Sequence, residues 1–273
     1  MDVKTLYDTP PWDWPDGANT VFLGILLDGQ AAESDRLLAA ELAGNFTVID
    51  EELVAGLLSV LRSGAESEEL RIRAVISLGP VLDYMDMEGL EDPDEALISE
   101  KTFHRIQDSL RELYRDAAVP EKVRRKILEA SVRAPQEWHK DAIRAAYAGG
   151  HEAWKLTAVF CMQYVRGFDK QILEALNSKD PDIHYEAVCA AGNWEVSKAW
   201  KHIKALVTSA TTEKSLLLAA IDAVASIRPH EAGTVLSDLL ASNDEDIVEA
   251  VHEALAMAEG LSEEDDEDEF FSS

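Results

Sequence analysis

Residues 180–192 read Asp-Pro-Asp-Ile-His-Tyr-Glu-Ala-Val-Cys-Ala-Ala-Gly, and Asp244-Glu245-Asp246-Ile247-Val248-Glu249-Ala250-Val251-His252-Glu253-Ala254-Leu255 returns in the same register 64 residues later. Each stretch is an acidic turn opening into a helix. Pro181 suits the first helical position, Asp182 offers a carboxylate to exposed N–H groups, and small residues follow at helical spacing. Alignment on the small residue at the Ala190 position picks out Ser77, Ala130, Cys161, Ala190, Ala223 and Ala254, at intervals of 53, 31, 29, 33 and 31 residues. Four regular steps of about 30 residues define a repeating unit of two helices, and the long first step contains an insertion of roughly 20 residues.

A unit of two short helices cannot bury its apolar face alone, so such units stack, and they approach closely only where Ala, Gly or Ser faces the neighbour. Ala187, Ala190, Ala191 and Gly192 are therefore packing positions. From Glu33 onward the helical period is almost unbroken; Leu37, Leu38, Leu42 and Leu53, Leu57, Leu58, Leu61 space out two amphipathic helices. No alternating apolar and polar run is long enough for a sheet. The expected fold is all-α, an α-α superhelix of about six helix pairs. A segment at 1–32 forms an N-terminal arm and cap, the repeats fill 33–258 with an acidic insertion at 83–100, and 259–273 form a disordered acidic tail. Three prolines in Pro10-Pro11-Trp12-Asp13-Trp14-Pro15 keep residues 1–20 extended. Trp12 and Trp14 then either meet a partner or fold back over the first helix pair.

Leu70-Arg71-Ile72-Arg73-Ala74-Val75-Ile76-Ser77-Leu78-Gly79, Val123-Arg124-Arg125-Lys126-Ile127-Leu128-Glu129-Ala130 and the Asp-Pro-Asp stretch at 180 resemble the second helices of HEAT repeats, which follow an acidic turn with a Val-Arg pair and an Ala-rich run. The likeness extends over about 66–258, in short units of bacterial type, with armadillo-like packing the nearest alternative. The Arg position is occupied by Arg71, Arg124, Lys155, His184, Leu217 and Val248 in turn, so an Asp–Arg ladder fades toward the C-terminus. The resemblance implies that second helices line a concave groove. The positions it places there are Arg125, Lys126, Glu129 and Arg133, then Thr157, Phe160 and Tyr164, then Tyr185, Glu186 and Asn193, then Asp222 and Ser226, then Glu249 and Glu253. That surface runs from basic through aromatic to acidic and fits a protein or peptide, with Phe160, Tyr164 and Tyr185 as anchors.

A net charge of −28 opposes nucleic-acid binding, which draws on Lys and Arg displacing counterions. The excess is uneven: residues 101–133 carry nine bases against five acids. The longest apolar runs fall far short of the ~20 residues that cross a bilayer, and Met1-Asp2-Val3-Lys4-Thr5 does not open a signal peptide, so a soluble cytoplasmic protein is expected. Cys161 and Cys189 lie in apolar helices without Cys-x-x-Cys spacing and read as reduced packing thiols.

Four of the six tryptophans and four of the seven histidines fall at 138–202. No pair has the i, i+4 spacing of helical metal ligands, so no metal or cofactor is expected; Trp154 reads as core, and His184 as a hydrogen-bond partner of a turn acid such as Asp182. The insertion places Asp86, Glu88, Gly89 and Glu95 at positions 3, 5, 6 and 12 of a calcium loop, but Tyr84 stands where the first carboxylate belongs. It reads as a solvated acidic loop attracted to 101–133. The main functional expectation is a non-catalytic scaffold or adaptor for a protein or peptide, basic partners included. The alternative is an enzyme or cofactor-handling protein, like the HEAT-like bilin lyases and DNA glycosylases, with a pocket near Tyr185 and Glu186.

Overall fold

The computed structural model describes residues 2–89 and 96–271, so part of the acidic insertion, including Glu95 of the calcium-loop match, lies outside the described residues. All regular structure among them is helical. In chain order the α-helices are α1 (Val3–Tyr7), α2 (Ala18–Leu27), α3 (Glu33–Leu42), α4 (Glu51–Arg62), α5 (Glu68–Ile76), α6 (Gly79–Tyr84), α7 (Glu100–Arg115) and α8 (Glu121–Ser131). They continue with α9 (Glu137–Ala148), α10 (Glu152–Cys161), α11 (Asp169–Ala175), α12 (Pro181–Asn193), α13 (Trp200–Val207), α14 (Lys214–Ile227), α15 (Pro229–Leu236) and α16 (Glu245–Phe271). The backbone divides into two compact units, 1–142 and 143–273.

Successive helices pack as pairs: α2 with α3, α4 with α5 and α7 with α8 in the first unit, and α11 with α12, α13 with α14 and α15 with α16 in the second. The second helices then stack on one another. In unit 1–142 α5 lies between α3 and α8; in unit 143–273 α12 lies between α10 and α14, and α14 between α12 and α16. Each unit is thus an α-α repeat array. The small residues sit where this stacking requires them: Ala130, Cys161, Ala190, Ala223 and Ala254 are all buried, and Ser77 is 5% exposed.

Two glycines mark close approaches to the aligned residues Ser77 and Ala223. A Cβ on Gly44 would lie 2.6 Å from the Ser77 carbonyl oxygen, and one on Gly192 would lie 3.1 Å from Ala223 Cα. Real side chains do not reach the first distance, so the backbone there needs glycine.

Helix α2 falls in the segment 1–32 that was expected to be an arm and cap, and it pairs with α3, the first helix of the expected repeats. The three prolines lie between α1 and α2 and interrupt neither helix, and residues 1–20 are not extended. Pro11 opens a single 3-10 turn, Asp2 caps α1, and Trp14 Nε1 donates to the carbonyls of Leu6 (2.8 Å) and Thr9 (2.9 Å), folding the segment back. Trp14 also meets Phe22 edge-on at 5.2 Å, whereas Trp12 stays 79% exposed.

Arg36 and Arg71 repeat one task at an interval of 35 residues. Arg36 Nε donates to Leu26 O at 3.0 Å, and Arg71 Nε to Leu61 O at 2.9 Å. In each case a second-helix guanidinium closes an orphan carbonyl at the C-terminus of its first helix. Arg36 also grips Glu66 through both terminal nitrogens, at 2.7 Å each. Helix termini elsewhere follow local chemistry: Asp180, not Asp182, is the cap of α12, accepting from the N–H groups of Asp182 (3.0 Å) and Ile183 (3.2 Å), because Pro181 takes the first helical position and the cap is the residue before it. Helix α16 has helical backbone to Phe271 and so takes in most of the acidic run that reads as a disordered tail in the sequence.

Candidate functional site: the second-helix face of residues 143–273

Between α12 and α14 the stacked second helices leave an open cavity of about 320 Å³, lined by Gln163, Tyr185, Cys189, Gly192, Asn193, Ser215, Leu218, Ala219, Asp222, Ala223 and Ser226. Its floor is small because the two helices approach at Gly192 and Ala223. The helical period then lifts Tyr185, Asn193 and Asp222 onto the walls.

Three of the expected groove residues, Tyr185, Asn193 and Asp222, therefore converge. Glu186 joins through Gln163, whose Nε2 donates to its Oε2, and Asn193 Nδ2 donates to Gln163 O at 3.4 Å. Phe160 and Tyr164 stack on each other with centroids 5.6 Å apart and are half-buried. Thr157 is fully buried rather than groove-facing, because α12 covers that side of α10.

The basic residues expected at the other end of the groove, Arg125, Lys126 and Arg133, lie in unit 1–142. Lys126 Nζ meets Glu129 Oε2 at 2.5 Å, and Arg133 Nη1 lies 3.6 Å from Asp83 Oδ2 in the insertion. Both cations are engaged with neighbouring carboxylates within their own unit.

The electrostatics of the cavity are one-sided. Burial, followed by the Glu186 charge, pushes the Cys189 thiol up to about 11. Tyr185 is also raised, first by Cys189 and then by burial. Partial desolvation and Glu253 raise the Asp222 carboxyl above its ordinary range. At neutral pH Cys189 and Tyr185 are protonated and suit hydrogen bonding rather than nucleophilic attack. Cys161 and Cys189 are free thiols.

Beside the cavity His184 does not bond Asp182 as expected. Its Nε2 lies 2.7 Å from Nε2 of His202 on α13, so one ring donates to the other. Asp182 instead serves the first turn of α12, where its N–H is taken by the cap. Burial lowers both pKa values, and His202 depresses His184 further. Unfolded histidines titrate near 6.5, so the pair's stabilisation is present above that pH and fades as pH falls through it. In a His202→Gln variant, whose amide can keep one bond, the loss of stability between pH 7 and 5 is expected to be shallower than in the parent in urea unfolding; equal pH slopes would remove the pair from this account.

The tryptophan-rich stretch serves mainly the joints between pairs. Trp194 Nε1 donates to Met162 O at 2.6 Å, Arg166 stacks over its ring at 4.7 Å, and Trp138 lies 3.9 Å from the His139 ring. Trp154 is half-buried. Among the described residues no three His, Cys, Asp or Glu side chains converge as metal ligands, and no helix is long and apolar enough to cross a membrane.

These features define a class: an all-helical repeat protein whose second helices present a cavity of mixed polar and small apolar residues around one carboxylate, Asp222. No family model matches the chain, and no curated protein matches it in sequence. Solved structures similar to it include an engineered protein (16% identity, TM-score 0.45, covering 94% of this chain and 70% of the other). Others are human deoxyhypusine hydroxylase in complex with glycerol (15%, 0.41, 94% and 88%) and a designed armadillo repeat protein in complex with the peptide (KR)4 (14%, 0.34, 87% and 98%).

Proposed function

We propose that this chain is a HEAT-like scaffold or adaptor that binds a protein or peptide on the second-helix face of residues 143–273. One observation carries the reading: the cavity between α12 and α14 brings Tyr185, Asn193 and Asp222 together on one face, with Glu186 bonded to the lining residue Gln163. Open to solvent along the helices, it suits a side chain delivered by an extended partner better than an enclosed small molecule. Tyr185, 37% exposed, is a large rigid surface of the kind that anchors interfaces, and Phe160 and Tyr164 extend the aromatic area on the same unit. The raised Cys189 thiol argues against a thiolate nucleophile at this position.

Affinity capture with mass spectrometry tests the reading when it is run with the parent, a Tyr185→Ala/Phe160→Ala double variant and Trp12→Ala. A partner lost from the double variant and kept by Trp12→Ala supports binding through this face. Retention of every partner by a folded double variant overturns it.

A further inference from the structure

Resting on that reading, we infer that the segment docking in the α12/α14 cavity is basic and places an arginine or lysine side chain against Tyr185 and Asp222. The argument is one of charge complementarity. Helix α12 has no Lys or Arg, and neither does any position after Arg228. Helix α14 has one, Lys214, and its ammonium is already held by Asp244 at 2.8 Å and Asp246 at 2.5 Å. The Asp222 carboxylate has no hydrogen-bond or ion-pair partner among the described residues. The charges that act on it and on its neighbours are carboxylates: Glu253 on Asp222, and Glu186 with Asp222 on Cys189 and Tyr185. Helices α12 and α14 thus bring no free cation to the cavity, and the cations of the preceding repeat lie over aromatic rings, Lys155 on Tyr147 and Arg166 on Trp194.

The cavity also has the shape and chemistry that a long cationic side chain needs. Tyr185 supplies an aromatic wall for a guanidinium or ammonium, Asp222 a carboxylate, and Gln163 and Asn193 further hydrogen-bonding groups, while the small floor at Gly192 and Ala223 accepts an aliphatic stem. An acidic or apolar segment would leave Asp222 desolvated and unpaired, which opposes its binding.

A short fluorescein-labelled Gly-Ser peptide containing two arginines can be compared by anisotropy with the same peptide carrying citrulline, which keeps the shape and loses the charge. The full-length protein is expected to bind the arginine peptide about ten-fold more tightly, with the advantage shrinking as salt rises. Asp222→Asn is expected to remove most of that advantage, and Tyr185→Ala to weaken it as well. Asp222 is exposed, so its amide variant is the arm least exposed to misfolding, and circular dichroism verifies both variants.

The acidic run is the competing site. A full-length variant with Glu263, Glu264, Asp265, Asp266, Glu267, Asp268 and Glu269 changed to their amides is expected to keep the advantage. If it loses the advantage while Asp222→Asn keeps it, the inference is overturned. Equal affinity for arginine and citrulline peptides overturns it too. If a partner captured through Tyr185 and Phe160 withstands high salt and docks through a segment without basic residues, the inference fails while the groove reading stands; absence of any groove-dependent capture removes that reading itself.

Discussion

Lowering the pH from 7 to 4 is expected to cost the folded protein on the order of 3 kcal/mol through one side chain, His139. Its ring is 1% exposed. The Gln136 N–H donates to Nδ1 at 2.8 Å, which fixes that nitrogen as the unprotonated one, and Nε2 therefore donates to Ser131 Oγ at 3.0 Å. Ser131 passes its own hydrogen to the Leu128 carbonyl at 3.2 Å. A second proton on Nδ1 would have to give up the Gln136 N–H for the more distant Gln136 carbonyl oxygen at 3.2 Å and would charge a buried ring; burial outweighs that carbonyl and lowers the His139 pKa to about 4. Unfolded chains take up that proton near 6.5, so between these values the unfolded state holds more protons and stability falls with pH. The contribution is complete above 6.5 and gone below 4. Acid also discharges many carboxylates of this highly anionic chain, so the measurement is a difference: urea unfolding of the parent and of His139→Gln across that range. Converging stabilities on acidification are expected, and a constant gap between the two proteins would show that His139 is not the titrating group.

The second large effect runs against the usual gain from replacing glycine by alanine. Gly44→Ala is expected to destabilise by about 1–3 kcal/mol, even though alanine ordinarily stiffens the unfolded chain to the protein's advantage. The added carbon would sit 2.6 Å from a backbone oxygen and 2.8 Å from Ser77 Cα, neither of which can rotate away. Gly64→Ala, where nothing lies within 4 Å of the added carbon, is the matched control and should change the melting temperature little. Equal melting behaviour of the two variants would mean that the α3/α5 joint relaxes without cost.

How much of this was legible in the sequence depended on whether a feature is local or shared between helices. Repetition on the Ala190 register exposed the second helices from α5 to α16, because close stacking restricts the residue type at one position per unit. Tyr185, Asn193 and Asp222 followed from the same register, since the period that buries Ala187 and Ala190 turns those residues outward. The pairing of α2 with α3 escaped, although Leu37, Leu38 and Leu42 marked α3 itself, because Leu42 occupies the aligned position and the prolines before α2 read as an extended arm. Its signal was present in another column: Arg36 with Arg71, and Gly44 with Gly79, both at the same spacing. Thr157, His184, Gln163 and Cys189 were not readable in this way. What they touch is decided by α12, α13 and the turn after α10, and the repeat pattern of one helix contains no record of its neighbour's side chains.

The stacking order has a dynamic consequence. Helix α12 is covered by second helices on two sides, whereas α16 packs chiefly on α14, α15 and the 3-10 turn that follows α15. Opening α16 breaks one such contact, but opening α12 breaks two, and in arrays with nearest-neighbour coupling partial unfolding proceeds inward from the less covered member. Amide hydrogens around Val251 and Ala254 should then exchange faster than those around Val188 and Ala191, although all four residues are equally hidden from solvent. The cavity would accordingly sit in the slow-exchanging stretch of its unit, a rigid seat framed by a looser edge.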